Sequence, residues 1–241
     1  MPTIKFNARN SEVVAHRGLS GIETENTAAA FIAAANRNYV GMETDVRVTL
    51  DGKYVCFHDR STQRIACDNL VIEECSFDTL RALQLCDKNG KKGRADLRII
   101  TLLEYIDICQ RYNKVPVIEL KDEMAREHIE GICNEIATTG YLEKVIFMSF
   151  VKSNLDIIRQ LHPEQTIQYI TGEYNDELVE MLCREKYDLD IEYKALTEER
   201  VKLLQSKGIK VNAWTCDDPA VGEMVASWGV DYIETNILEK L

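Results

Sequence analysis

No run of about 18 apolar residues occurs in the 241-residue chain, so nothing in it reads as a membrane-spanning helix. The opening residues, MPTIKFNARNSEVVAHRG, lack an apolar core of signal-peptide length. A cytoplasmic location is therefore the expectation. No CxxC pair joins the eight cysteines, Cys56, Cys67, Cys75, Cys86, Cys109, Cys133, Cys183 and Cys216, so no structural zinc site is expected. In a cytosol they read as reduced, mostly packed thiols. No Pro/Gly/Ser linker, internal repeat or low-complexity tract divides the sequence, and one domain over 1–241 is the reading. Basic residues are scarce against acidic ones, 29 to 40, for a net charge of −11. That balance argues against nucleic acid or an anionic membrane surface as the main partner. It leaves room for a small anionic substrate if the site carries its own cations. The oligomeric state is not legible.

What is present is a regular alternation. With 45% hydrophobic residues there is ample material for a core. Strand-like runs rich in β-branched residues fall at 12–16, 40–46, 115–120, 144–148, 166–170, 189–193, 209–214 and 231–234. Helical periodicity fills 27–36, 102–111, 124–138, 152–161, 176–186 and 198–207, with Asn26 or Thr27 as the first N-cap and Gly208 as a stop. Strands alternating with helices imply parallel crossovers. Eight of them within 241 residues fit an α/β fold of the (β/α)8 TIM-barrel type. A doubly wound open sheet is the alternative, but no GxGxxG turn follows the first strand. Residues 60–99 exceed one crossover and read as a small insertion after the second barrel strand. Its basic stretch KNGKKGR, 88–94, reads as a solvated, mobile turn rather than a substrate-recognition loop.

Chemistry is concentrated in 13–59. Glu43 and Asp45 in METDV lie two apart on a strand, so they share a face. Two carboxylates pointing into a barrel repel and resist desolvation unless a cation neutralises them. At a barrel strand's C-terminal end that cation is expected to be a hard metal, Ca²⁺ or Mg²⁺. Exposed acids on a surface strand are the plainer alternative; Gly41 and the apolar neighbours count against it. In VPVIELK, Glu119 and Lys121 share a face, which suggests a third ligand and a phosphate-binding cation. A strand-end salt bridge would look the same.

His16 and Arg17 end the first strand. Histidine titrates near neutral pH and suits proton transfer. The arginine fork suits a phosphate. His128, mid-helix, and His162, before Pro163, read as structural. For His58 there is a register argument. If Asp51 and Gly52 form a two-residue hairpin turn, His58 stands directly opposite Asp45, beside the carboxylates. Lys210, Asn212 and Trp214 share a face in KVNAWTC; Trp214 suits either a carbon backbone such as glycerol or the rim of the core.

Taken in order, AHRG, ETENTAAAF, METDV, a DG turn, FHD, IELK, NAWT and GVDYIETN resemble the glycerophosphodiester phosphodiesterase family over nearly the whole chain. The resemblance implies a TIM barrel with a small insertion after the HD motif and a divalent cation, commonly Ca²⁺ or Mg²⁺. It implies hydrolysis of glycerophosphocholine, glycerophosphoethanolamine or a similar diester to sn-glycerol 3-phosphate and an alcohol. It places catalytic histidines at His16 and His58, metal ligands at Glu43, Asp45 and Glu119, and phosphate contacts at Arg17 and Lys121. Glu25 and Asn26 match the ENT signature, near the metal or one layer behind it. Thr24 stands where the family usually has proline, Ile100 replaces the proline of PTL, and Asn236 replaces the aspartate of the closing TD. These departures bear on substrate choice. A non-catalytic phosphate-binding barrel and a lysophospholipase D-like enzyme are the rival functions.

Overall fold

The computed structural model describes residues 2–241. The chain runs β1 (Ile4–Phe6), β2 (Glu12–Ala15), α1 (Ala28–Ala35), β3 (Gly41–Val48), β4 (Tyr54–Cys56), α2 (Gln63–Ala66), α3 (Phe77–Ala82), α4 (Leu102–Arg111) and β5 (Val115–Leu120). It continues through α5 (Arg126–Ala137), β6 (Ile146–Ser149), α6 (Lys152–Leu161), β7 (Thr166–Thr171), α7 (Asp176–Glu185) and β8 (Asp188–Glu192). It ends with α8 (Glu198–Ser206), β9 (Val211–Trp214), α9 (Pro219–Trp228), β10 (Tyr232–Thr235) and β11 (Leu238–Lys240). Eight parallel strands follow the order β2-β10-β9-β8-β7-β6-β5-β3, and β3 pairs back onto β2. The sheet is thus a closed barrel with the helices around it, the α/β architecture expected from the alternation. Among the described residues, no helix is long and apolar enough to cross a membrane.

Local chemistry explains the element boundaries. Thr27, not Asn26, caps α1, accepting from the Ala30 N–H. Thr101 and Glu104 form a reciprocal capping box on α4. The alanines of α1 let it lie close to the barrel, where Phe31 meets the edge of Tyr105 at 4.8 Å. Tyr105 in turn donates to the Met42 carbonyl at 2.5 Å.

Two features have no counterpart in the sequence reading. Helix α9 starts at Pro219 behind an Asp218 cap and stops at Gly229, at φ +86°. Gly222 breaks its periodic pattern for a packing reason: a Cβ there would come within 2.8 Å of Leu238 and 2.9 Å of Phe6. Those two residues belong to the second feature, a clasp in which β1 pairs in parallel with β11 outside the barrel.

One sequence expectation is corrected and a second in part. The β3–β4 pairs are Val46 with Cys56, Arg47 with Val55 and Val48 with Tyr54, one residue away from the expected register. Thr49 N–H donates to the Lys53 carbonyl at 2.9 Å, so the loop is three residues long, with Gly52 at φ +74°. The Thr49 hydroxyl donates to Asp51 at 2.6 Å and shifts the turn one residue towards β3. Phe57 therefore faces Asp45, its N–H donating to the Asp45 carbonyl at 2.9 Å. His58 lies beyond the end of β4, in a bend.

The basic stretch 88–94 is largely exposed, as expected, but it is tethered rather than free. Lys88 donates to the Ser20 carbonyl at 2.6 Å and Arg94 pairs with Glu23 at 2.6 Å, both on the loop after β2. Lys92 pairs with Asp68 at 2.5 Å. Beneath it, Phe57, Ile72, Leu80, Leu85 and Leu97 form a small apolar core separate from the main one.

Candidate active site

The C-terminal ends of the barrel strands gather the chemistry. Strands β3 and β5 lie in register, so Asp45 stands directly beside Glu119. Glu43 points the same way two residues earlier. One oxygen each from Glu43, Asp45 and Glu119 can be chosen so that all lie within 4.8 Å of one another, and all three residues are buried.

Their charges are unevenly met. Burial, and then the neighbouring Asp45 charge, push the Glu43 and Glu119 carboxyls above their ordinary range. Burial acts on Asp45 in the same direction, yet Arg17 and then Lys121 hold it well below the usual carboxylate value. Arg17 Nε lies 3.3 Å from Asp45 Oδ2, and Lys121 Nζ lies 3.4 Å from Oδ1 and 2.8 Å from Glu119. Asp45 Oδ1 is nonetheless buried without a hydrogen-bond partner. Three crowded hard oxygen donors with one orphaned acceptor are what a divalent cation such as Ca²⁺ or Mg²⁺ fits.

Arg17 is aimed by a tight turn. It sits at φ +56° and Gly18 at φ +73°; a Cβ on Gly18 would meet the Ala30 backbone at 2.7 Å. The turn directs the Arg17 N–H onto Glu43 at 2.8 Å and its guanidinium onto Glu25 at 3.0 Å. Asn26, also at positive φ, donates to Asp45 Oδ2 at 2.8 Å and accepts from the Thr44 hydroxyl at 2.8 Å. Asn26 thus orients Asp45, while Glu25 positions Arg17.

The two histidines are held by different means. His16 Nδ1 lies 2.9 Å from Asn236 Oδ1. Asn236 Nδ2 donates to Asp217 at 2.6 Å, which fixes the amide so that its oxygen faces His16. Nδ1 therefore carries the proton and Nε2 is bare. Burial, and then the Arg17 charge, lower His16 to about 4. His58 Nδ1 meets Asp59 Oδ1 at 2.6 Å. Burial lowers His58 too, against the pull of Asp45 and Asp59.

A cavity of about 150 Å³ is lined by His16, Arg17, Glu43, His58, Glu119 and Lys121 together with Asp190, Glu234 and Trp214. Trp214 stands at its side with Phe150 edge-on at 6.0 Å. Glu25, Asn26 and Asp45 lie behind this surface. His128 packs against Tyr54, and His162 ends α6; neither lines the cavity. A larger cleft of about 300 Å³ adjoins it and shares only Lys121.

Sequence reasoning assigned no role to Asp59, Arg64, Asp190, Glu234 or Asn236. Arg64, on α2, grips Glu25 with two nitrogens at 2.7 Å and Asp59 at 2.6 Å. It ties the partner of Arg17 to the partner of His58. Asp190 and Glu234 are buried on the inner face, and burial raises both carboxyls. Asn212 bridges Glu234 at 2.9 Å and Gln168 at 3.2 Å. The alternation Asp188, Asp190, Glu192 is the same two-residue signal that singled out Glu43 and Asp45.

Comparison with known proteins fits this arrangement. Residues 16–240 match the model of the glycerophosphoryl diester phosphodiesterase family. A glycerophosphodiester phosphodiesterase of Caldanaerobacter subterraneus is 30% identical, the match covering 95% of each chain. A phosphodiesterase from Oleispira antarctica, solved with the product sn-glycerol-3-phosphate, superposes with a TM-score of 0.85 at 26% identity, covering 93% of this chain and 92% of that one. A Thermotoga maritima glycerophosphodiester phosphodiesterase gives 0.77 at 28% identity, covering 95% of each. A match that begins at His16 and runs through the last barrel strand spans every residue of the cavity, and the chain belongs to the glycerophosphoryl diester phosphodiesterase family, a family of phosphoric diester hydrolases.

Proposed function

We propose that this enzyme hydrolyses small glycerophosphodiesters, such as glycerophosphocholine or glycerophosphoethanolamine, to sn-glycerol 3-phosphate and an alcohol, using a divalent cation. The observation that carries the reading is the convergence of His16, His58, Arg17, Lys121, Glu43 and Glu119 on one cavity, with Asp45 clustered against the two glutamates. The Oleispira relative's product complex supports the same product.

Glu43, Asp45 and Glu119 would hold the cation, Ca²⁺ or Mg²⁺, which supplies charge neutralisation and polarises the phosphoryl group. Arg17 and Lys121 bind the non-bridging phosphoryl oxygens and stabilise the charge that builds on them. Trp214 packs on the carbon chain of glycerol. His16, neutral at physiological pH with Nε2 bare, takes the proton of the attacking hydroxyl. His58, oriented by its Nδ1 contact with Asp59, delivers a proton to the departing alcohol oxygen. The attacking group is the glycerol 2-hydroxyl, which gives a cyclic phosphate. In the second half the roles reverse: His58 draws a proton from water and His16 returns one to the ring oxygen.

The direct test is a panel of glycerophosphodiesters and a lysophospholipid, assayed with Ca²⁺, Mg²⁺ and Mn²⁺ and again with EDTA. Turnover of the short diesters, lost in EDTA and restored by added cation, is expected. Binding without turnover would make the protein a phosphate-ligand receptor; preference for the lysophospholipid would make it a lysophospholipase D.

The Arg64 grip predicts a second result. Arg64→Met removes both the Glu25 and Asp59 contacts while leaving every cavity-lining group in place. Partners one layer behind a site typically contribute 10–100-fold, so kcat should fall by about that factor with little change in KM. Arg64→Lys should recover only part, because a point charge cannot replace the fork. Unchanged kcat in Arg64→Met would remove the positioning role.

A further inference from the structure

Cys67 and Cys86 approach each other on the 60–99 segment, away from the cavity. Their sulfurs are 3.2 Å apart, a thiol–thiol contact about 1.2 Å longer than a disulfide bond. Nineteen positions separate them in sequence. The pair is held from both sides. Cys67 ends α2 at φ +63°, its N–H donating to the Gln63 carbonyl. The Cys86 N–H donates to the Ile65 carbonyl at 2.7 Å, and its own carbonyl accepts from the Thr24 hydroxyl at 2.7 Å.

Access is asymmetric. Cys67 is exposed and Cys86 buried. Thr24, Glu25, Arg64, Ile65, Cys67 and Cys86 border an open cavity of about 260 Å³, room for a small thiol reagent. Burial, and then the adjoining Cys67 thiol, raise the Cys86 thiol above its ordinary value, while the Lys92 ammonium pulls the other way, which leaves the exposed Cys67 as the thiol that reacts first. No group of three metal-ligating side chains includes either cysteine among the described residues.

We propose that Cys67 and Cys86 are an oxidisable dithiol, which a low-molecular-weight disulfide converts to an intrachain disulfide that staples α2 to the segment after α3. The Cys67 thiolate attacks the reagent, forms a mixed disulfide and releases one thiol. The Cys86 thiolate then attacks Cys67 Sγ and expels the second. Two protein thiols and one disulfide thus become one protein disulfide and two free thiols. Arg64 lies three residues before Cys67 on the same helix, so the bond forms beside the grip on Glu25 and Asp59.

Incubating the folded, cation-loaded enzyme with oxidised glutathione tests this. Thiol titration and peptide mass spectrometry should find two of the eight thiols lost to a Cys67–Cys86 linked peptide, with glutathione retained on neither. The melting temperature should rise by several degrees, as expected for closing a loop of this size. Cys86→Ser should stop the reaction at a stable glutathione adduct on Cys67. The proposal fails if glutathione stays on Cys67 of the unaltered chain. It fails equally if both thiols remain reduced after Cys183, the other exposed cysteine, has reacted. A linked peptide with an unchanged or lower melting temperature would remove the staple.

Discussion

Glu119→Gln will cost the enzyme more than ~100-fold in kcat and most of its affinity for a divalent cation, yet will not destabilise the cation-free barrel. The side chain keeps its shape, so β5 and its ladder with β3 stay intact. What disappears is a carboxylate whose ionised form the fold disfavours. Burial and Asp45 raise Glu119 above its unfolded value. A raised acid adds stability below its unfolded pKa and loses it as pH rises through the folded value. Removing the group should therefore leave the cation-free protein at least as stable at pH 8, and somewhat less favoured at pH 5. In the unaltered enzyme a cation must displace those protons, so its stabilising effect grows with pH. Melting curves with and without Ca²⁺ at pH 6 and pH 8 check both statements. A Glu119→Gln enzyme that retains turnover and a full Ca²⁺-induced shift would overturn the ligand assignment.

His16→Ala and His58→Ala will each lower kcat by ~10²–10⁴-fold with the cation still bound. Their pH profiles differ in sign. His16 must be neutral to act as base, and its value of about 4 keeps it so well below the ordinary histidine range. The acid limb of kcat/KM should thus lie below pH 5. His58 must be protonated to act as acid, and burial lowers it below the ordinary histidine value, so activity should already be declining before pH reaches neutrality. Removing His58 should flatten the alkaline limb and removing His16 the acid limb. If the two variants exchange these behaviours, acid and base are assigned the wrong way round; if either keeps near-normal turnover, the pair does not act as acid and base.

The barrel was legible because most of its strands are short β-branched runs alternating with helical periodicity, and parallel strands buried on both faces leave that mark. Glu43, Asp45, Glu119 and Lys121 were legible because charge at two-residue spacing within apolar strands has few explanations. The misread elements lack such a signal. The hairpin turn was assigned from Asp51-Gly52 alone, whereas Thr49 sets the loop through its hydroxyl. A one-residue slip moves a side chain across the sheet, and His58 still reaches the cavity only because β4 ends before it. Arg64 lies in a four-residue helix too short for periodicity, and its partners are 5 and 39 positions away. The tethers of Lys88 and Arg94 leave no mark in the sequence because their acceptors, Ser20 and Glu23, lie on another loop. The clasp strands are three residues each, below the length at which alternation can be seen.

That clasp bears on the order in which the molecule assembles. His16 is held by Asn236, 220 positions away, and Asn236 lies between the last barrel strand and β11. Thr3 and Glu239, paired across the clasp, are 236 positions apart. These contacts close nearly the longest loop the chain contains, and their entropy must be met before they return any energy. The proposed general base, His16, therefore acquires its tautomer only when the two extremes of the chain meet. On that assignment, catalysis depends on a contact that exists only once the barrel has closed end to end.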